Sequence, residues 1–294
     1  MTDICCIGHI THDRIVTPQF SSELYGGTSF YFSYALSRLP DVDYKLLTML
    51  APDDMRAVSD MRAAGISVDV IESEHTVFFE NKYGENMNNR KQRVLAKSNP
   101  FTVADVSPVS ARFVHLGSLL ADDFPSEIIR YFAGRDCVLS VDAQGFLRYV
   151  SGESVLPCDW ADKREALRYV DILKVNEHEI ESLTGFSDCD RAARVLAQWG
   201  VKEILITLGS YGSKIYRDGV KCEISAIKPQ AIVDATGCGD TYMAGYLYMR
   251  SLGKPIPQCG QFAAAIAALK IAKSGPFCGS IDDVHNLMNS GTKL

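Results

Sequence analysis

The sequence predicts one α/β domain in which helices cover both faces of a mainly parallel central sheet, with a small β-sheet lid attached. Three observations support this fold class. Of the 294 residues, 47% are hydrophobic, which is enough for a large core. From about residue 112 onward, short apolar strands alternate with helical segments, as is typical of parallel sheets. Residues 75–97 instead contain two extended runs around a polar turn, which indicates a hairpin.

The first 71 residues already follow the strand–helix pattern. Glycines commonly mark the turn before an element. Gly26 and Gly27 therefore indicate the start of a helix, which is predicted to end near Leu39. Gly65 closes a second predicted helix as its C-terminal cap. The other elements expected here are strands at 4–8, 44–50 and 68–71 and a helix at 53–64.

The lid is predicted from two separate stretches of the chain. Runs 76–82 and 90–96 flank the polar turn Gly84-Glu85-Asn86, which is the signature of a hairpin. Residues of about 10–20 and about 75–100 are together expected to form this lid, inserted into the α/β body. Because exposed strand edges invite pairing, the lid is also where we expect a homodimer to form.

The remaining residues complete a single domain that spans residues 1–294. A hairpin is predicted around Asp218-Gly219, a residue pair that suits a tight reversal. No internal repeat or low-complexity linker interrupts the pattern. The predicted strands are 112–116, 137–141, 171–175 and 203–207, and the predicted helices are 239–252, 256–274 and a short one from Asp282.

Composition argues against several classes of partner. The chain carries 30 Lys and Arg against 36 Asp and Glu, a net charge of −6, so nucleic-acid binding is not expected. Its longest apolar runs, such as 262–269, are far shorter than the ~20 residues that cross a membrane. The N-terminus shows no signal-peptide pattern. Nine scattered cysteines without a Cys-x-x-Cys pair fit a reducing, cytoplasmic location.

The most informative segment is a glycine turn that leads directly into a helix. Gly237 and Gly239 allow a tight turn and let an anion approach the backbone. The first amides of a helix have no internal partner and carry the positive end of its dipole. Such a turn is an anion site, and phosphoryl transfer needs one because charge builds on the transferred oxygens.

A carboxylate at the end of this turn needs its own explanation. Asp240 would repel a bound phosphate, but it suits a general base that takes the proton from an attacking hydroxyl. The alternative is an N-terminal helix residue that interacts favourably with the dipole. Neighbouring Cys238 is open to two interpretations as well: a thiol with a lowered pKa, whose alkylation would inactivate the protein, or an inert buried cysteine.

The segment resembles the signature Asp-Thr-x-Gly-Ala-Gly-Asp of the ribokinase-like, or PfkB, carbohydrate kinases. The resemblance extends over nearly the whole chain and implies a three-layer α/β/α sandwich with a β-sheet lid. It implies that the backbone amides of Gly237, Cys238 and Gly239 form an anion hole and that Asp240 is the base. Ala235 and Cys238 depart from the signature, and its other positions match at Asp234, Thr236, Gly237, Gly239 and Asp240.

The resemblance also assigns an acceptor site. It places Asp13 on substrate hydroxyls, which suits an acceptor-only carboxylate, and the paired glycines Gly26 and Gly27 at the hinge of the lid. Tyr31 stands where the family often has Asn, which puts ribose and fructose in doubt as substrates. For each of these residues an ordinary loop, turn or core role is the alternative.

A second acceptor segment begins at Asp142. Its Asp-x-Gln-x-x-x-Arg pattern, with Gln144 and Arg148, is similar to what we expect of myo-inositol kinases. Arg148 would instead bind a phosphate if the acceptor were a sugar phosphate, or lie on the surface.

The donor side follows from further family matches. Asn176 and Glu179 match the Asn-x-x-Glu motif and are implied to organise Mg²⁺ near ATP, Glu179 through water; a helix-capping pair is the alternative. A nucleotide loop is implied by Thr207, Gly209 and Gly212. A monovalent cation such as K⁺ is implied near Asp234 and Thr236.

The sequence therefore predicts an ATP-dependent kinase that phosphorylates a hydroxyl of a sugar, a polyol or a related small molecule. The pattern Gly-x-x-x-x-Gly-Lys-Ser/Thr of P-loop enzymes is absent. Inositol, nucleoside and sugar-phosphate kinases are the alternatives within the family. A sugar-binding protein on a degenerate kinase fold is the alternative without catalysis.

Overall fold

The computed structural model describes residues 1–83 and 90–290, so the predicted turn Gly84-Glu85-Asn86 lies outside the described residues. In this part of the chain nine strands form the main sheet. Seven of them pair in parallel, and at one edge β13 pairs antiparallel with β14, which in turn pairs antiparallel with β15. In chain order they are β1 Thr2–Ile7, β4 Tyr44–Leu50, β5 Ser67–Glu72, β8 Ala111–Leu116, β9 Val138–Asp142, β12 Ile172–Asn176, β13 Glu203–Thr207, β14 Ser213–Arg217 and β15 Val220–Ile224. Their order across the sheet is β15-β14-β13-β12-β9-β8-β1-β4-β5.

Two layers of helices bury the two faces of this sheet. Successive side chains of a strand point to opposite faces, so Cys6 packs into one core while Cys5 and Ile7 pack into the other. The first layer consists of α1 Thr28–Leu36, α2 Met55–Ala63, α8 Cys238–Ser251, α9 Ile256–Ile271 and α10 Ile281–Asn289. The second consists of α3 Val103–Val106, α4 Ser126–Ala133, α5 Lys163–Ala166, α6 Glu177–Thr184 and α7 Cys189–Gln198. The predicted α/β fold class is confirmed.

A second sheet forms the lid. Its strands are β2 Thr11–Val16, β3 Ser21–Gly26, β6 Val77–Tyr83, β7 Arg90–Ala96, β10 Arg148–Ser151 and β11 Ser154–Pro157, in the order β10-β11-β7-β6-β2-β3. The predicted lid ranges contain β2, β6 and β7, whereas β3, β10 and β11 fall outside them. The local signal for β10 and β11 was the two-residue turn Gly152-Glu153 between them. In the structure Gly152 has a left-handed φ of 59°, as tight hairpin turns require.

One face of the lid packs on the α/β body. It carries apolar side chains, among them Val77, Phe79 and Val94, which pack on Leu119 and Leu120. This contact fixes the lid over the carboxyl ends of the parallel strands.

No helix in the described ranges is both long enough and apolar enough to serve as a membrane span.

Candidate active site

A cavity with a volume of about 860 Å³ opens where the parallel strands end. Ligands of open α/β sheets bind at such carboxyl ends. Asn176 and Thr207, the last residues of β12 and β13, line it, and the N-terminus of α8 closes its floor. Of the predicted site residues, the cavity is lined by Gln144, Asn176, Thr207, Gly209, Gly212, Gly237, Cys238, Gly239 and Asp240.

The glycine turn begins helix α8 as the sequence predicts. Gly237 is the N-cap residue, with φ of 73°, and its carbonyl accepts from Thr241 N at 2.9 Å. The amide of Cys238 donates to Ala235 O at 3.2 Å, so it is engaged within the turn rather than available to an anion. Among the described residues the amides of Gly237, Gly239 and Asp240 find no acceptor. Those of Gly239 and Asp240 belong to the first turn of α8, where the helix dipole has its positive end.

The side chain of Asp240 lies in the first turn of α8 and lines the cavity. Burial raises the pKa of this carboxyl to about 7, and the neighbouring charges of Asp142 and Glu179 act in the same direction. Lys174 and Lys270 oppose the increase. Asp240 therefore changes its protonation state near neutral pH, which is the range that suits a general base.

A buried lysine that sequence reasoning missed lies directly below the turn. Lys174 is paired in register with Asp142 across β12 and β9, and its Nζ donates to Asp142 Oδ2 at 2.9 Å. A Cβ placed on Gly239 would lie 3.2 Å from that Nζ. Burial lowers the pKa of Lys174, but the charges of Asp142, Glu179 and Asp240 outweigh burial and raise it above the ordinary value. The signal in the sequence was a lysine among the apolar residues Ile172, Leu173 and Val175 of a predicted strand.

The predicted metal motif forms a helix cap. Asn176 Oδ1 accepts from the amides of His178 and Glu179 at 2.9 Å each, and both Glu179 carboxylate oxygens accept from Asn176 N and Nδ2. Burial raises the pKa of Glu179. Because both oxygens are already hydrogen-bonded, this carboxylate is suited to a water-mediated role toward a metal. In the described ranges no cluster of three or more His, Cys, Asp or Glu side chains is arranged to hold a metal ion alone.

The nucleotide-side loop keeps its shape through two glycines. Gly209 and Gly212 have φ of 54° and 89°, which L residues rarely adopt. A Cβ on Gly212 would also lie 2.0 Å from Ile224 O. The loop therefore passes close to the end of β15, and Thr207, Gly209 and Gly212 together edge the cavity.

The predicted acceptor residues fall into two groups. Gln144 lines the cavity, whereas Arg148 lies at the start of lid strand β10 and donates from Nη2 to Gln92 Oε1 at 2.5 Å. Asp13 packs against Gly26, where an added Cβ would lie 2.6 Å from Asp13 Oδ2.

Gly27, the predicted hinge residue, and Tyr31 both belong to the start of α1. Gly27 is the N-cap of α1, with φ of 96°. Tyr31 is buried and packs against Gly237. Tyr31 therefore lies behind the glycine turn rather than along the cavity wall.

Of the two interpretations of Cys238, the lowered pKa was wrong, and the structure favours the buried cysteine. Burial raises the pKa of this thiol to about 11, and the charges of Asp234 and Asp240 add to the increase, although Lys270 opposes it. The helix N-terminus does not compensate for the loss of solvent around the half-buried sulfur. Cys238 is therefore protonated at neutral pH.

Of the two residues expected to hold a monovalent cation, Asp234 contacts a lysine and Thr236 contacts Asp234. Asp234 Oδ1 accepts from Thr236 N at 2.9 Å, and Asp234 Oδ2 accepts from Lys270 Nζ at 3.2 Å. Burial opposes ionisation of Asp234, but these hydrogen bonds hold its pKa below the ordinary value. The turn is thus tied by its carboxylate to the end of α9.

Comparison with solved structures supports a relationship over the whole chain. A pyrophosphate-dependent kinase in the ribokinase family, complexed with a pyrophosphate analog and myo-inositol, superimposes with a TM-score of 0.86 at 30% identity, covering 96% of this chain and 99% of that one. Arabidopsis thaliana ribokinase complexed with ribose and ATP shares the fold, with a TM-score of 0.81 at 21% identity and 98% coverage of both chains.

Sequence comparison finds relatives that match part of the chain. The model of the pfkB family carbohydrate kinases matches residues 141–280. Cytidine kinase of Thermococcus kodakarensis is 43% identical over 98 residues, 33% of this chain and 35% of that protein. Ribokinase of Arabidopsis thaliana is 38% identical over 117 residues, 38% of this chain and 31% of that protein. The chain thus spans about a third of the length of these curated relatives.

Proposed function

The chain belongs to the PfkB family of carbohydrate kinases, the ribokinase family, and is a phosphotransferase; from this premise we propose that it transfers the γ-phosphoryl group of ATP to a hydroxyl of a sugar, polyol or related small molecule. The observation that carries the proposal is one constellation at the start of α8. Asp240, with its raised pKa, lines the same cavity floor as the unpaired amides of Gly239 and Asp240.

In the proposed reaction Asp240 is the general base. The acceptor oxygen forms a bond to the γ-phosphorus while the bond between the γ-phosphorus and the β–γ bridging oxygen breaks, so ADP leaves with that electron pair. The acceptor proton moves to the carboxylate of Asp240. The amides of Gly239 and Asp240 and the dipole of α8 stabilise charge on the transferring oxygens.

Magnesium would accompany the nucleotide in this site. Mg²⁺ binds phosphate oxygens and waters with few protein ligands, and it neutralises charge on the phosphates. The oxygen donors near the strand ends fit such an ion, since Asn176 lines the cavity and the Glu179 carboxylate lies behind it. Glu179 would act through water, because both its oxygens accept from Asn176.

The wall of the cavity favours ATP as the donor. Beyond the glycine turn the cavity is lined by apolar side chains that a purine ring would cover, namely Ile227, Ile232, Ala264, Ala267, Ala268 and Ile271. Pyrophosphate would leave this surface unused. Pyrophosphate is nevertheless the second candidate donor, because the pyrophosphate-dependent relative is 30% identical over almost its full length.

A polyol of the inositol type is the acceptor that we favour. Gln144 lines the cavity, and Arg148 and Asp13 lie on strands of the lid. Together these hydrogen-bonding side chains would suit a ring of hydroxyls. One solved relative holds myo-inositol. Nucleosides are the alternative acceptor class, because cytidine kinase is among the relatives.

A matrix of donors and acceptors tests this function. ATP and pyrophosphate are each combined with myo-inositol, ribose and cytidine, and phosphorylated product is measured by mass spectrometry. We expect turnover with ATP and myo-inositol, and a loss of at least about 10²-fold in kcat for Asp240→Asn, the contribution of a general base. An Asp240→Asn enzyme with wild-type kcat would refute the proposed base. Turnover with pyrophosphate alone would overturn the donor assignment.

A further inference from the structure

Lys270 places a buried ammonium group at the turn that precedes the anion site. Its side chain is fully buried in the last turn of α9, and Nζ donates to the carbonyl of Asp234 at 2.8 Å and to Asp234 Oδ2 at 3.2 Å. The ammonium also lies 5.5 Å from the centre of the Tyr31 ring. Such a cation is costly to bury unless charged and polar oxygens pair with it, and Asp234 supplies both.

The oxygens of Asp234 are directed at donors rather than at an open cation site. Oδ1 accepts from Thr236 N at 2.9 Å, and Oδ2 accepts from Gly275 N at 3.3 Å in addition to Lys270. A monovalent metal ion binds through carbonyl and carboxylate oxygens that replace its hydration shell. Here the carbonyl and Oδ2 of Asp234 already bind an ammonium, which would repel a second cation a few ångströms away. The residues present therefore do not fit the monovalent cation that the sequence resemblance implies.

We propose that Lys270 takes the place of a monovalent metal ion and that phosphoryl transfer by this protein is independent of K⁺. Lys270 is a positioning residue: it acts through Asp234, whose turn leads into the glycine turn and Asp240. The backbone supports the same connection, since Val233 N and Asp234 N donate to Ile271 O at 2.9 and 3.2 Å. The claim that phosphoryl transfer is independent of K⁺ rests on the proposed kinase function. The claim that Lys270 occupies the place of the cation does not.

The wild-type protein provides the first test. Its kcat and its Tm are measured with K⁺, Na⁺ or tetramethylammonium as the sole monovalent cation. Because equal ionic strength keeps electrostatic screening constant, kcat should vary by less than about twofold between these cations. Tm should show no K⁺-specific increase, since a bound ion would stabilise the folded state by mass action. A strict K⁺ requirement, or a saturable K⁺-dependent rise in Tm, would overturn the proposal.

Lys270→Ala provides the second test, because it removes the ammonium and leaves space beside Asp234. We expect kcat to fall by about tenfold or more from misplacement of the turn, and K⁺ or NH₄⁺ to restore part of it and to raise Tm. The control is Lys273→Ala, which removes an exposed lysine of the same segment and should show neither effect. Full activity of Lys270→Ala without added cation would refute the positioning role.

The two tests separate this inference from the kinase assignment. If no donor and acceptor pair gives turnover, the proposed function fails while the Tm comparison still tests the internal cation. If Lys270→Ala does not fold, the wild-type cation comparison decides alone.

Discussion

The ring of Tyr31 lies directly against Gly237. A Cβ added to this glycine would lie 2.2 Å from Tyr31 Cγ, far inside van der Waals contact. The same glycine has φ of 73°, which L residues rarely adopt. Tyr31 thus forms the back wall of the turn that starts α8, and both the backbone conformation and the space at Gly237 exclude a side chain.

We therefore expect Gly237→Ala to be strongly destabilising, and Gly253→Ala is its matched control. Gly253 has a similar φ of 71° but no heavy atom within 4 Å of an added Cβ. The control should cost about 1 kcal/mol of unfolding free energy from backbone strain alone. Gly237→Ala should cost about 3 kcal/mol or more, since strain and overpacking combine. Urea unfolding measures both, and equal costs would contradict the contact with Tyr31.

The raised pKa of Asp240 predicts the pH dependence of turnover. Only the ionised carboxylate accepts a proton, so kcat/KM should fall about tenfold per pH unit below about 7 and level off above it. Initial rates between pH 5 and 9 at constant ionic strength measure this limb. The residual activity of Asp240→Asn should lack it. A wild-type profile that is flat through pH 6 would contradict the assignment of Asp240 as the base.

The same shift makes Asp240 a cost to stability at neutral pH. Its folded pKa of about 7 lies above the ordinary 3.8, so the stability that the protonated group contributes is present below pH ~3.8 and lost as pH rises through about 7. Asp240→Asn should therefore gain stability over wild type across this window. Because the carboxylate lines a solvent-accessible cavity, we expect a gain of only ~1–3 kcal/mol at pH 8. Urea unfolding of both proteins at pH 4.5 and pH 8 measures the gain. If the unfolding free energies of variant and wild type differed by the same amount at both pH values, the prediction would be contradicted.

Lys174 should control both stability and the position of that pH limb. Lys174 and Lys45 each contact a carboxylate at 2.9 Å, but the first pair is buried and the second is exposed. Lys174→Met should cost about 3–5 kcal/mol by leaving Asp142 buried and uncompensated, whereas Lys45→Met should cost ~0–1 kcal/mol.

Removal of Lys174 also removes a charge that lowers the pKa of Asp240. The acidic limb of kcat/KM should therefore move to higher pH by about one unit, and it should move back when Asp142→Asn is added. The double variant restores charge balance, so the acidic limb of kcat/KM can still be measured if Lys174→Met alone folds poorly. An unshifted limb in a folded Lys174→Met enzyme would show that Lys174 is structural only.

Sequence reasoning found the features that depend on neighbouring residues. The anion turn at Gly237 and Gly239 and the Asn176 cap are encoded within a few positions, so their spacing alone points to them. Lys174 and Asp142 become partners only through the register of β12 against β9. Lys270 reaches Asp234 only after two helices fold back across 36 positions. Such pairings depend on tertiary packing, so a local sequence can mark Lys174 as unusual in its strand but carries no signal for the partner of either lysine.

The revised environment of Cys238 gives a last prediction. Since its pKa is raised to about 11 and the thiolate is the nucleophile, iodoacetamide at pH 7.5 should modify exposed Cys278 faster than half-buried Cys238. Peptide mass spectrometry follows both sites while activity is assayed in parallel. Activity should fall in proportion to Cys238 labelling, because Cys238 lines the same cavity as Gly239 and Asp240 and the added group would occupy space there. Activity lost in step with Cys278, or retained after complete labelling of Cys238, would contradict the placement of the anion site.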